Sequence, residues 1–240
     1  MKKQLSSTII TIGDFVHAYN RGNRKALIVR GESDKWRLLK IFRYINDKYS
    51  PPNLFRQIGQ LVEEGKCRWF EWPKNWLSPS PLVKILSYCI MPNHFHLLLK
   101  EIIKGGISKF MARLSDAFTR YSNVKYDEAG RVFQGSFKRK VIETESILQY
   151  TDVYMQVFNP FELYPGGIKK AIEEFDKAFE FALNYPFSSL GESFKKRNLH
   201  IIERDVLKET FPSLEEYKAF AREALMFRNI REILGKAKIE

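Results

Sequence analysis

The chain has little sulfur chemistry to offer. Its 240 residues contain two cysteines, Cys67 and Cys89, which make no disulfide framework and show no zinc-ligand spacing. No apolar run approaches the ~20 residues of a transmembrane helix. The stretch after Met1-Lys2-Lys3-Gln4 is too short for a secretory leader. Internal repeats and low-complexity tracts are missing too. Acidic residues are in deficit, with 28 Asp and Glu against 40 Lys and Arg, a formal net charge of +12. Histidine is scarce, at four residues. These shortages argue for a protein of the reducing cytoplasm with no membrane partner. Its positive excess calls for a polyanion, and nucleic acid fits best.

What is present is ample apolar material, 44% of residues with 14% aromatic, enough for a packed core. Residues 8–19, rich in β-branched and aromatic types, predict a first strand. A basic turn over Asn20–Lys25 follows, and Ala26–Val29 reads as resumed extended chain. Ser33 can cap a helix running to about Tyr49, ended by Pro51-Pro52. Residues 51–81 mix Trp69, Trp72 and Trp76 with five prolines and predict an irregular insertion around a short helix at 54–64. Strands over 82–90 and 94–99 meet at Pro92-Asn93. Ile107, Phe110, Met111, Leu114, Phe118 and Tyr121 mark an amphipathic helix. A basic strand near Lys138–Ile142 leads to a helix over 145–157, capped by Thr144 and stopped by Asn159-Pro160. The order β, α, β, β, α, β, α predicts an α+β fold: an antiparallel sheet with helices packed on one face. Residues 1–165 would form this domain, and 166–240 a helical C-terminal extension.

Met91-Pro92-Asn93-His94-Phe95-His96-Leu97-Leu98-Leu99 is the densest chemical signal. Alternation on a strand points His94 and His96 the same way and Phe95 into the opposite layer. Two imidazoles on one face can hold a divalent cation, Mn²⁺ more readily than oxygen-loving Mg²⁺. Such a pair is more often two polar residues on a half-exposed face. Neither cysteine sits in an activating context, so tyrosine is the nucleophile to consider. Tyr150 and Tyr154 lie four apart on the predicted helix after the basic strand. A phenol attacking phosphorus would form a phosphotyrosine, release a sugar hydroxyl and keep the bond energy for rejoining. Tyr154 also continues an apolar stripe with Ile147 and Phe158, which is the core reading of the same residue. Basic residues cluster at Arg21, Arg24 and Lys25, at Lys109, Arg113 and Arg120, and at Arg131, Lys138, Arg139 and Lys140, all candidates for contact with a phosphate backbone.

Taken together, these blocks resemble the small single-tyrosine HUH transposases, specifically their REP-associated branch. Tyr88–Leu99 resembles the family's histidine strand, and Asn20-Arg21-Gly22-Asn23-Arg24 its early loop. Tyr121-Ser122-Asn123 with Gly130–Lys138 resembles its central block. Tyr154-Met155-Gln156 before Asn159-Pro160, and Tyr185–Ser189, resemble later signatures in the same order. The resemblance implies a ferredoxin-like or RRM-like core in a bacterial, DNA-associated enzyme. It implies single-stranded, hairpin-bearing DNA as partner and Mg²⁺ or Mn²⁺ held by His94 and His96. Tyr154 would attack to give a 5′-phosphotyrosine and a free 3′-hydroxyl, with Tyr150 in reserve. A polar residue one helical turn past the tyrosine would complete the metal site. Here the pattern departs: Phe158 holds that position and Asn159 lies five residues on, so Asn159 or Gln156 would have to substitute. Ser136 stands where the family commonly has arginine. The resemblance leaves open a monomer or a homodimer exchanging tyrosines. A second reading, from another class, is a non-catalytic hairpin-binding protein on the same scaffold. A third is an RNA endonuclease with no covalent step.

Overall fold

Two adjacent central strands, buried on both faces, organise the structure. A computed structural model describes residues 9–194 and 196–226; expectations for Met1–Thr8, for Lys195 and for helix beyond Met226 lie outside them. Strand β1 (Phe15–Arg21) is followed by helix α1 (Glu32–Tyr44), then by helix α2 (Leu54–Glu63) inside the insertion. Strands β2 (Val83–Ile90) and β3 (His94–Glu101) form a hairpin, and helix α3 (Gly106–Tyr126) crosses to β4 (Lys138–Ile142). All neighbouring strands are antiparallel, in the order β2-β3-β1-β4. With α1 and α3 as its two crossovers, the sheet is the antiparallel one that the element order predicts, in the ferredoxin-like β-α-β-β-α-β arrangement that the family resemblance implies.

The period of two then sorts the side chains. Val16, Ala18, Phe95, Leu97 and Leu99 share one apolar cluster with Leu38, Leu39 and Phe42 of α1 and Phe110, Leu114 and Phe118 of α3. Both crossover helices therefore pack on one face. The opposite face contributes Leu86, Leu98 and Ile142 to a second cluster. That cluster is filled by the helices after β4: α4 (Glu145–Val153), α5 (Asn159–Phe161), α6 (Gly167–Glu173), α7 (Phe175–Asn184), α8 (Leu190–Ser193), α9 (Val206–Thr210) and α10 (Leu214–Met226). The sheet thus lies between two helical layers, with the histidines on the side of the second. Phe95 is fully buried between the rings of Phe42 and Phe133. Phe95→Ala should cost about 3–5 kcal/mol, read as a lower urea midpoint; an unchanged midpoint would contradict this packing.

Several boundaries differ from the sequence pattern. β1 begins at Phe15 because Asp14 closes a turn, its carboxylate accepting from the Thr11 N–H and hydroxyl. Ala26–Val29 is no strand; the Ile28 and Val29 N–H groups both donate to the Pro92 carbonyl. α1 starts one residue before Ser33, and Asp34 rather than Ser33 accepts from the Arg30 and Gly31 N–H groups. Gly22 has no room for a side chain, since a Cβ there would sit 2.0 Å from the Ala26 carbonyl oxygen. Its N–H donates to Asn93 O at 2.8 Å, which ties the basic loop to the hairpin that opens on His94.

Candidate active site

Strand register gathers the site. β1 places Arg21 opposite His94, Tyr19 opposite His96 and His17 opposite Leu98. On its other edge β4 places Lys138 beside Tyr19 and Lys140 beside His17. One face thereby carries three imidazoles, a phenol and three cationic side chains. His94 is partly exposed and His96 only 1% exposed, with ring centroids 4.9 Å apart. His94 Nδ1 is 2.6 Å from the Asn93 side-chain oxygen, so it carries the proton and donates. His96 Nδ1 is 2.8 Å from His17 Nε2, and the two rings stack at 5.0 Å. His96 Nε2 is buried with no hydrogen-bond partner among the described residues.

Burial keeps these rings neutral. It lowers His94 to about 4, helped by the Arg21 charge. His17 falls to about 3, with Lys140 adding to burial. His96 is pushed well down by burial, with its two histidine neighbours adding to the effect. Neutral imidazole is the form that ligates metal. The sign for stability follows from linkage. Below the ordinary value of 6.5 the unfolded chain binds protons the folded chain refuses. The stability contributed by keeping these rings neutral is therefore fully present above 6.5 and is lost as pH falls through about 4 and then about 3. Urea midpoints should fall steadily between roughly pH 7 and pH 4.5. A flat profile would contradict the burial of the histidines.

Tyr154 reaches this face from the helix after β4. Thr144 caps α4 as predicted, its hydroxyl accepting from Ile147 N–H at 3.3 Å. The Tyr154 ring is only partly buried and meets the His96 ring edge-on, with centroids 5.9 Å apart. Asn159-Pro160 does not stop the helix. Instead Tyr154–Phe158 forms a π turn, in which Asn159 N–H donates back five residues to Tyr154 O, and α5 continues through Pro160. Proline explains the wide turn. Pro160 has no N–H for the Gln156 carbonyl and its ring would crowd that group; widening relieves the clash, and the Ser188 hydroxyl donates to Gln156 O at 3.4 Å. The π turn puts Asn159 where the fourth residue of an ordinary helix would stand, one turn past Tyr154. Asn159 is 1% exposed and its Nδ2 has no hydrogen-bond partner among the described residues.

Other sequence candidates go elsewhere. Gln156 is committed to structure: its amide nitrogen donates to Asp152 and the Tyr217 hydroxyl, and its oxygen accepts from Ser189 and Ser193. It has no capacity left for a metal. Tyr150 packs against Phe220, centroids 5.1 Å apart. Arg21, Lys138 and Lys140 join the histidine face, and Arg24 and Lys25 stand exposed on the loop bonded to Asn93. Arg139 pairs with Ala18, on the other side of the sheet, and Arg131 is exposed in the preceding loop. Lys109, Arg113 and Arg120 do not join the site, because α3 packs on the far face. There Arg113 donates to the Ile45 and Asp47 carbonyls and Arg120 pairs with Asp116. The sequence reading missed His17; its alternation with Tyr19 was visible, but the β1–β3 register that brings it to His96 was not.

The residues present fit a divalent cation. A buried imidazole nitrogen without a partner, a second neutral imidazole and an amide one turn past the tyrosine form a nitrogen-and-oxygen donor set. Among the described residues no three His, Cys, Asp or Glu side chains form a ready cluster, so a third donor from the protein would be an amide.

Residues 77–156 match the family described as IS200-like transposases, so the resemblance read from the sequence holds over the stretch carrying both histidines and Tyr154. Among the solved structures, one described as the REP-associated tyrosine transposase bound to a REP hairpin matches at 12% identity and a TM-score of 0.47. The match covers 82% of this chain and 88% of that one. No curated protein matches. Among the described residues no helix is long and apolar enough to cross a membrane.

Proposed function

We propose that this chain is a transposase that cleaves and rejoins single-stranded DNA through a covalent link to Tyr154, with a divalent cation held by His94, His96 and Asn159. The observation that carries this reading is the meeting of Tyr154 and His96 at 5.9 Å within one chain, beside a buried imidazole nitrogen that lacks a partner. The match of residues 77–156 to IS200-like transposases supports the same class of activity.

The Tyr154 oxygen attacks phosphorus, the bond to the 3′-oxygen breaks, and that oxygen leaves as a 3′-hydroxyl once protonated. The DNA 5′-phosphate stays on the tyrosine, and the reverse attack by a 3′-hydroxyl restores the strand without a nucleotide cofactor. A phenol ionises at neutral pH only with cationic help, and Lys138, Lys140 and Arg21 share the histidine face with it. The same side chains, with Arg24 and Lys25 at the hairpin end, bind the backbone without reading sequence. When bound, a divalent cation would act as a Lewis acid on the scissile phosphate, its charge undiminished because the donor set holds no carboxylate.

Incubation with hairpin-bearing single-stranded DNA and Mn²⁺, followed by a denaturing gel, tests the reading. The expected result is a protein–DNA adduct that survives denaturation. Tight binding of every hairpin tried, with no adduct, would support the non-catalytic binding protein instead. Cleavage that persists in variants of both Tyr154 and Tyr150 would support a nuclease with no covalent step.

A further inference from the structure

One buried titratable group on the histidine face has no part in the reaction described so far. His17 is 2% exposed, lies in the middle of β1, and its Nε2 approaches His96 Nδ1 at 2.8 Å. Two neutral imidazoles can share that contact in only two ways. If His17 Nε2–H donates, His96 must carry its own proton on Nε2. That leaves a buried N–H with no acceptor and no lone pair for a cation. If His96 Nδ1–H donates to His17, the lone pair lies on His96 Nε2, the one buried nitrogen of the pair left without a partner. Only the second arrangement makes His96 a ligand.

We propose that His17 is a positioning residue for the metal site, accepting the His96 Nδ1 proton so that the Nε2 lone pair of His96 is held ready for a cation. This rests on the proposed metal-dependent reading. The architecture suits the task. His17 stands on the neighbouring strand, diagonal to His96 across the β1–β3 ladder, so the backbone of two central strands fixes the distance. The stacked rings, tilted by only 24°, leave His96 little freedom to rotate. A partner on the second nitrogen of a ligating histidine is a common device for setting its tautomer and orientation. Here a histidine supplies it, where a carboxylate or carbonyl is usual.

The test uses the full chain and Mn²⁺, with binding followed by electron paramagnetic resonance and no DNA present. His17→Gln keeps an acceptor oxygen near the Nε2 position; His17→Phe keeps the ring and removes the acceptor. The expected result is Mn²⁺ affinity reduced about 10–100-fold in His17→Phe and largely restored in His17→Gln. Nitrogen-15 spectra of the unsubstituted protein give an independent readout should His17→Phe fail to fold: His96 should be protonated on Nδ1 and bare on Nε2. Wild-type affinity in a folded His17→Phe variant, or a proton on His96 Nε2, would overturn the proposal alone. No Mn²⁺ binding by the unsubstituted chain would instead overturn the metal-dependent reading, and this proposal with it.

Discussion

Tyr154→Phe should abolish the covalent DNA adduct and lower strand cleavage by at least about 10³-fold, the scale seen when a nucleophile is removed. The substitution deletes one oxygen. It leaves the ring that packs edge-on to His96 and the π turn that begins at Tyr154. Stability should change by no more than about 1 kcal/mol, and hairpin binding should stay within about twofold, since cationic side chains supply it. Tyr150→Phe is the matched control, because that ring packs against Phe220 on the C-terminal layer. Adduct formation should survive it. The reverse pattern, with Tyr154→Phe active and Tyr150→Phe inactive, would move the nucleophile one turn back along α4.

His96→Ala should produce an equally deep loss of cleavage by another route. It removes the buried imidazole whose Nε2 has no protein partner, and Mn²⁺ affinity should fall by more than about 100-fold, beyond the range for outer positioning groups. Tyr154→Phe, by contrast, should bind Mn²⁺ like the unsubstituted chain. Folding should survive His96→Ala, since Phe95 and Leu97 on the opposite face still hold the main core. The remaining penalty, on the order of 1–3 kcal/mol, comes from leaving His17 Nε2 unpaired. A chelator should mimic the variant in the unsubstituted protein, with Mn²⁺ restoring activity. Cleavage that survives both treatments would exclude a metal role for His96.

The two predictions separate chemistry from fold because the site lies on one face of the sheet and the main core on the other. The helix that carries the tyrosine is built into the second cluster. Asp152 and Gln156 join it to Tyr217 of α10 by buried hydrogen bonds, Tyr217 hydroxyl to Asp152 at 3.0 Å among them. Burial raises the Asp152 carboxyl, while the Tyr217 and Gln156 hydrogen bonds favour its charged form. The C-terminal helices thereby help set where Tyr154 stands relative to the histidines.

Much of this was readable along the chain. Strand alternation put His94 and His96 on one face and Phe95, Leu97 and Leu99 on the other, because a strand's period is a local property of the backbone. The order of elements implied an antiparallel sheet with packed helices, the family resemblance made it ferredoxin-like, and Thr144 marked the start of the tyrosine helix. Three features were beyond local reading. His17 meets His96 only through β1–β3 register, a pairing of residues 79 apart in the chain. Lys109, Arg113 and Arg120 look like a nucleic-acid stripe, yet the apolar side of the same helix commits them to the face away from the histidines. Asn159 appears one residue out of place until the helix widens ahead of Pro160 and accepts the Ser188 hydroxyl in place of the missing N–H. Periodicity dictates which way a side chain points from its own element. Which elements meet, and in what register, is settled by burial of their apolar faces against one another, and that long-range choice brings the phenol to the imidazoles.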